Sequence, residues 1–238
     1  MLTTVHHMVP EKMDRAAYDD FAARDHFTHA YHVPNVHTAQ QLRAIVGTKK
    51  PVYVIPYWCN PKIWYPENKS EMREKHEIPQ SAYAIGSFQR DTEGHDLRTP
   101  KLEKGPDLVA DYIESLARDD TFVVLAGWRR QYIISRLEHA GIRYKYFEKP
   151  DQSTLRELYA TLDLYPIGAR YEGGPQALTE CGLMGIPCVS RPVGIAEVVL
   201  PQESISHDLK LTKPAVPNIS RQSIPYGYKA FRQVIDVV

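Results

Sequence analysis

The stretch Leu162-Asp163-Leu164-Tyr165-Pro166-Ile167-Gly168-Ala169-Arg170-Tyr171-Glu172-Gly173-Gly174-Pro175-Gln176-Ala177-Leu178-Thr179-Glu180 decides the fold. A short apolar run over 162–166 reads as a strand, and a glycine-rich turn follows it. A helix over 175–184 then opens on a proline and closes at Gly185. The same strand–loop–helix alternation recurs outward from this unit. Strands are expected at 3–6, 52–56, 83–86, 122–126, 144–147 and 187–190. Over 107–118, Leu108, Val109, Tyr112, Ile113 and Leu116 fall on one face at helical spacing. Helices are also expected over 131–139 and 154–162, the latter capped by Asp151 or Ser153. Such alternation implies right-handed crossovers and a parallel sheet, so the fold class is α/β.

Composition narrows the function. The 238 residues hold 29 Lys+Arg against 29 Asp+Glu, so the formal net charge is zero and no basic excess marks a nucleic-acid partner. Any anion site must be local, made of a few cations and backbone N–H groups. The cysteines, Cys59, Cys181 and Cys188, are odd in number and lack metal-site spacing, which suits reduced thiols in a cytoplasmic protein. The N-terminus carries His6 and His7 rather than a long apolar run, and the run 121–128 is too short to span a bilayer. Peripheral contact with a membrane surface stays open.

Two joints divide the chain. Ile55-Pro56-Tyr57-Trp58-Cys59-Asn60-Pro61 is dense in prolines and aromatics, as a hinge would be. From 201 to 225 the alternation stops, and a last helix is expected over 226–235. The expected division is 1–56, a short N-terminal α/β unit; 57–205, the main parallel-sheet domain; and 206–238, an extension.

Parallel sheets bind ligands beyond the carboxyl ends of their strands. Gly173 and Gly174 let the main chain approach a ligand closely. The helix after Pro175 points the N–H groups of Gln176, Ala177 and Leu178 at that place, which attracts phosphate. Glu172 and Glu180 flank such an anion and suit hydroxyl groups. Taken alone, the loop is equally well read as a glycine turn before an amphipathic helix with both glutamates solvated.

The spacing Glu172 to Glu180 resembles the Glu-x7-Glu motif of retaining glycosyltransferases of family 4, which have the GT-B fold. Arg170 to Ala177, Gly185-Ile186-Pro187-Cys188-Val189-Ser190 and Val193-Gly194 are similar to that family's signature in the same order. Upstream, Val54-Ile55-Pro56-Tyr57 resembles its interdomain hinge. Gly86-Ser87-Phe88 with Lys104-Gly105-Pro106-Asp107 resembles the first unit of its donor domain. The resemblance implies a Rossmann-like nucleotide-sugar-binding domain in which Glu180 holds the ribose of a UDP- or GDP-sugar. Glu172, Gly173 and Gly174 would meet the sugar. Pro175, Gln176, Ala177 and Leu178 would sit at the diphosphate, and Gly86 and Ser87 would line the same place. It further implies that Lys104 neutralises the leaving phosphate. Ser87 stands where the family has arginine, so Arg90 is the expected substitute. His6 or His7 would face the sugar, Trp128, Phe147 and Lys149 would lie near the base, and 226–235 would cross back to the first unit.

No Asp-x-Asp pair occurs, and neither metal nor cofactor is expected. The expected partners are a nucleotide-sugar donor and a saccharide, lipid-linked or other acceptor. About 56 residues precede the joint, roughly half of such a first domain, so the expectation is a naturally shortened enzyme, a fragment, or a subunit whose acceptor side a partner chain or homo-oligomer completes. Three other readings share the fold: a non-catalytic donor-binding subunit, a nucleotide-sugar epimerase, and an interaction module without ligand.

Overall fold

The computed structural model describes residues 1–94 and 96–236. Its elements, in chain order, are β1 (Leu2–Thr4), α1 (Arg15–Asp25), β2 (Ala30–Val33), α2 (Val36–Gln41), β3 (Val52–Val54), α3 (Lys69–Lys75), β4 (Tyr83–Ser87), α4 (Pro106–Ser115), β5 (Thr121–Gly127), α5 (Gln131–His139), β6 (Arg143–Glu148), α6 (Gln152–Ala160), β7 (Tyr165–Ile167), α7 (Gln176–Met184), β8 (Cys188–Ser190), α8 (Ala196–Val199) and α9 (Tyr226–Ile235).

The N-terminal unit is a parallel sheet in the order β1-β2-β3. In the second unit β4, β5 and β6 pair in parallel, as do β7 and β8. A parallel bridge between Ile85 and Leu164 joins the two sets, giving the order β6-β5-β4-β7-β8. The order reverses between β4 and β7, and there the loops at the carboxyl ends of the strands part to leave a crevice.

Burial explains the sheet. All of β5 except Gly127 is buried, as a parallel sheet covered on both faces requires. Phe122, Val124 and Ala126 face one apolar cluster with Leu158 and Leu178, while Val123 and Leu125 face the other with Val109 and Ile133. Asp151 caps α6 by accepting from the Thr154 amide at 2.7 Å, and Asn35 caps α2 by accepting from the Thr38 amide at 2.8 Å.

Several boundaries differ from expectation. The strand expected at 162–166 begins at Tyr165, because Leu162 closes the turn after α6 through its amide and the Tyr159 carbonyl. The helix expected over 107–118 ends at Ser115. α1, β2, α2 and α3 were not expected. α1 has no buried residue, and β2 is buried throughout although it contains His32. At the far end Phe231 of α9 lies edge-on to His32, ring centroids 4.9 Å apart, and also packs on Trp58 at 5.2 Å.

Candidate active site

The crevice between β4 and β7 is shaped by two loops that touch backbone to backbone. Gly105 has φ +62°, and a Cβ built there would lie 1.8 Å from the Gly168 carbonyl oxygen. No other residue fits that approach. Arg170 fastens the same loops from the side, its guanidinium donating to both carboxylate oxygens of Asp107 at 2.8 and 2.6 Å. The amides of Arg170 and Tyr171 both donate to the Glu103 carbonyl. Lys104 and Glu172, 68 residues apart, are thereby brought together with Nζ 2.5 Å from Oε1.

Behind this pair lies a cavity of about 270 Å³ bordered by Phe88, Gln89, Tyr159, Glu172, Gln176 and Glu180. Gln89 donates to the Lys104 carbonyl at 2.8 Å, joining the β4 loop to the lysine. Glu180 is largely buried and accepts from the Tyr159 hydroxyl at 2.7 Å. Burial raises its carboxyl to about 7, against the opposing pull of that hydrogen bond. Gln176 is exposed and Ala177 half-buried at the amino end of α7, so the positive end of this helix faces the cavity mouth.

Three expectations need correction. Leu178 is fully buried and its amide donates to the Pro175 carbonyl at 2.9 Å, so it has no N–H to offer a diphosphate. Ser87 is 2 % exposed, and its hydroxyl accepts from Arg130 at 2.7 Å. Arg90 turns away from Lys104: its Nε donates to the Thr92 carbonyl and its guanidinium lies 5.4 Å from the Trp128 ring. Arg129 and Lys149 approach the same ring at 4.5 and 5.0 Å. Phe147 packs edge-on against His76. Gly86 is buried under Leu162 and Tyr165.

The N-terminal unit closes over the glycine loop. A Cβ on Gly173 would lie 2.0 Å from the His6 carbonyl, and Asn35 donates through Nδ2 to the Gly173 carbonyl. Gly174 and Pro175 are buried beside it, Gly174 under the Tyr57 ring. His6 hydrogen-bonds the Tyr57 hydroxyl. Burial, then the charge of Lys104, holds His7 below the ordinary histidine range, favouring the neutral ring. Burial, then the charge of Glu172, raises the Tyr57 phenol to about 12.

Gln89, Tyr159 and Asn35 escaped the sequence reading, and Tyr57 entered it only as part of the hinge. Of the three missed, only Gln89 had a usable signal, lying three residues beyond the end of the expected strand 83–86 and two beyond Ser87. Arg130 was also missed. It is fully buried, donates to Asp91, to the Ser87 and Ala126 carbonyls and to the Ser87 hydroxyl, and so fixes the carboxyl ends of β4 and β5. Among the described residues no three His, Cys, Asp or Glu side chains gather as metal ligands, and no helix is long and apolar enough to cross a membrane. All three cysteines are buried and unbridged.

Residues 99–205, which carry Lys104, Glu172 and Glu180, match the family model of the glycosyl transferases group 1. The fold is GT-B. Alr3699/HepE from Anabaena, solved in complex with UDP and glucose, is similar over 100% of this chain and 71% of its own, with 13% identity and a TM-score of 0.83. Sucrose-phosphate synthase from Thermosynechococcus elongatus is similar over 100% of this chain and 68% of its own, at 15% identity and a TM-score of 0.71. WaaG, a glycosyltransferase involved in lipopolysaccharide biosynthesis, is similar over 79% of this chain and 52% of its own, at 18% identity and a TM-score of 0.59. No curated protein sequence matches the chain significantly.

Proposed function

We propose that the chain is a retaining, metal-independent glycosyltransferase of the family 4 type that transfers a sugar from a UDP- or GDP-linked donor to an acceptor hydroxyl. The observation that carries this reading is the convergence of Glu172, Glu180 and the amino end of α7 on one cavity at the strand-order reversal, with Lys104 held at its edge by Glu172. That Alr3699/HepE is solved with UDP and with UDP-glucose supports a nucleotide-sugar donor.

In this reading the diphosphate lies against the Gln176 and Ala177 amides and the Lys104 ammonium, with the ribose at Glu180. As the bond from C1 to the phosphate oxygen breaks, charge grows on the leaving phosphate, and a fixed cation and N–H dipoles stabilise it in a water-poor site. The acceptor oxygen forms the new bond to C1, and its proton passes to the leaving diphosphate. Glu172, held by Lys104, positions the sugar and does not serve as a glycosidase-type acid or base.

Calorimetry with UDP and with GDP in the presence of EDTA tests the donor site, and binding is expected with one of them. Glu180→Ala should weaken it by about 1–3 kcal/mol through lost hydrogen bonds. Absence of binding by both nucleotides overturns the reading, and NMR of the product's anomeric centre tests retention.

A further inference from the structure

Beyond the donor cavity, the cleft between the two units holds a second space with a different chemistry. Next to Glu172 it is small, about 120 Å³, and polar, bordered by His7, His37, Thr38 and Tyr171. Further out it widens to about 370 Å³ between Val36, Val54 and Val198. His37 and Gly194 border both parts, so the two adjoin along one groove. The three valines come from three separate elements, the start of α2, the end of β3 and α8, and are 58%, 41% and 65% exposed. Pro34, Pro56 and Ile195 extend the apolar wall. Across it His37 and Glu197 pair at 3.1 Å, linking the two units without covering the valines.

Apolar side chains turned together into a concave space mark a ligand site more than scattered surface valines do. The volume suits a small apolar group, and the groove grades from polar at Glu172 to apolar at Val198. A ligand matching that gradient offers a hydroxyl at one end and hydrocarbon at the other. We propose that the acceptor is an amphiphile, a sugar or alcohol hydroxyl borne on an apolar aglycone, and that the aglycone lies among Val36, Val54 and Val198. This rests on the glycosyltransferase reading above, since it is that reading which puts the reacting sugar beside Glu172.

The test uses the full chain saturated with whichever of UDP or GDP binds, and compares octyl β-glucoside, below its micelle concentration, with methyl β-glucoside by ligand-observed NMR. Octyl β-glucoside is expected to bind at least about tenfold more tightly, the gain of burying two methylenes. Val198→Asp and, separately, Val36→Asp should abolish that difference while leaving nucleotide affinity and Tm unchanged, both side chains being exposed. Equal binding of the two glucosides, or a preference that survives both substitutions, overturns the proposal while the donor reading stands. A dimer in sedimentation equilibrium that Val198→Asp dissociates overturns it in favour of a contact between copies. Failure of both nucleotides to bind overturns the donor reading itself, and the proposal with it.

Discussion

Lys104 and Glu172 neutralise each other across the mouth of the cavity, Nζ to Oε1 at 2.5 Å, although 68 residues separate them in sequence. Both are partly exposed, with side chains about one-fifth accessible, so the pair contributes little to stability and its worth lies in placement. Lys104→Ala is therefore expected to leave Tm nearly unchanged, and on the proposed glycosyltransferase reading to lower kcat by about 10²–10³-fold, the usual cost of losing one donor to a developing anion. A steady-state assay with the nucleotide sugar that binds checks this, and unchanged kcat would exclude Lys104 from charge stabilisation.

Glu180 gives the pH dependence. Its carboxyl titrates at about 7 when folded and near 4.5 when unfolded, so between those values the folded state holds the extra proton. Stability then falls as pH rises from about 4.5 to 7 and levels off above it. Glu180→Gln should flatten that slope in thermal melts from pH 4.5 to 8. On the proposed donor reading, affinity runs the other way: ribose hydroxyls would donate best to the carboxylate, so nucleotide binding should strengthen through pH 7, with proton release visible as buffer-dependent heat.

The contact of Gly105 with Gly168 tolerates no side chain. Gly105→Ala places a methyl group against the Gly168 carbonyl at positive φ, and should cost roughly 2–4 kcal/mol from strain and overpacking. Urea unfolding should show the fall as a lower midpoint with an unchanged slope.

Arg130 and Asp91 are both fully buried and joined at 3.0 Å. Arg130→Met strands the carboxylate, leaves the Ser87 carbonyl without its donor and should cost ~3–5 kcal/mol. Arg130→Met combined with Asp91→Leu should recover much of that loss in the same melts, since no lone charge then remains inside.

The sheet and the helix at Pro175 were legible because period and punctuation agree there: an apolar run, two glycines, a proline, and Gly185 at φ +73° closing the helix. α1 was not legible, since Arg15–Asp25 carries no continuous apolar stripe and buries no residue fully, with only Phe21 packing onto the N-terminal cluster. Arg130 was hidden for the opposite reason, as an arginine is expected at the surface and this one is held inside by four hydrogen bonds to three residues, Asp91, Ser87 and Ala126, rather than by any local pattern. Leu178 shows the limit of counting along a helix. The count puts its amide in the first turn, but only the coordinates show that the Pro175 carbonyl already takes it.

The amide of Asn35 closes one further circle. Its oxygen caps α2, while its nitrogen grips the Gly173 carbonyl from the opposite unit. One short side chain thus ties the start of α2 to the glycine loop of the other unit, so the register of the two units is fixed at the residues next to Glu172. Shortening Asn35 to alanine would sever the cap and the tie to the loop in one step.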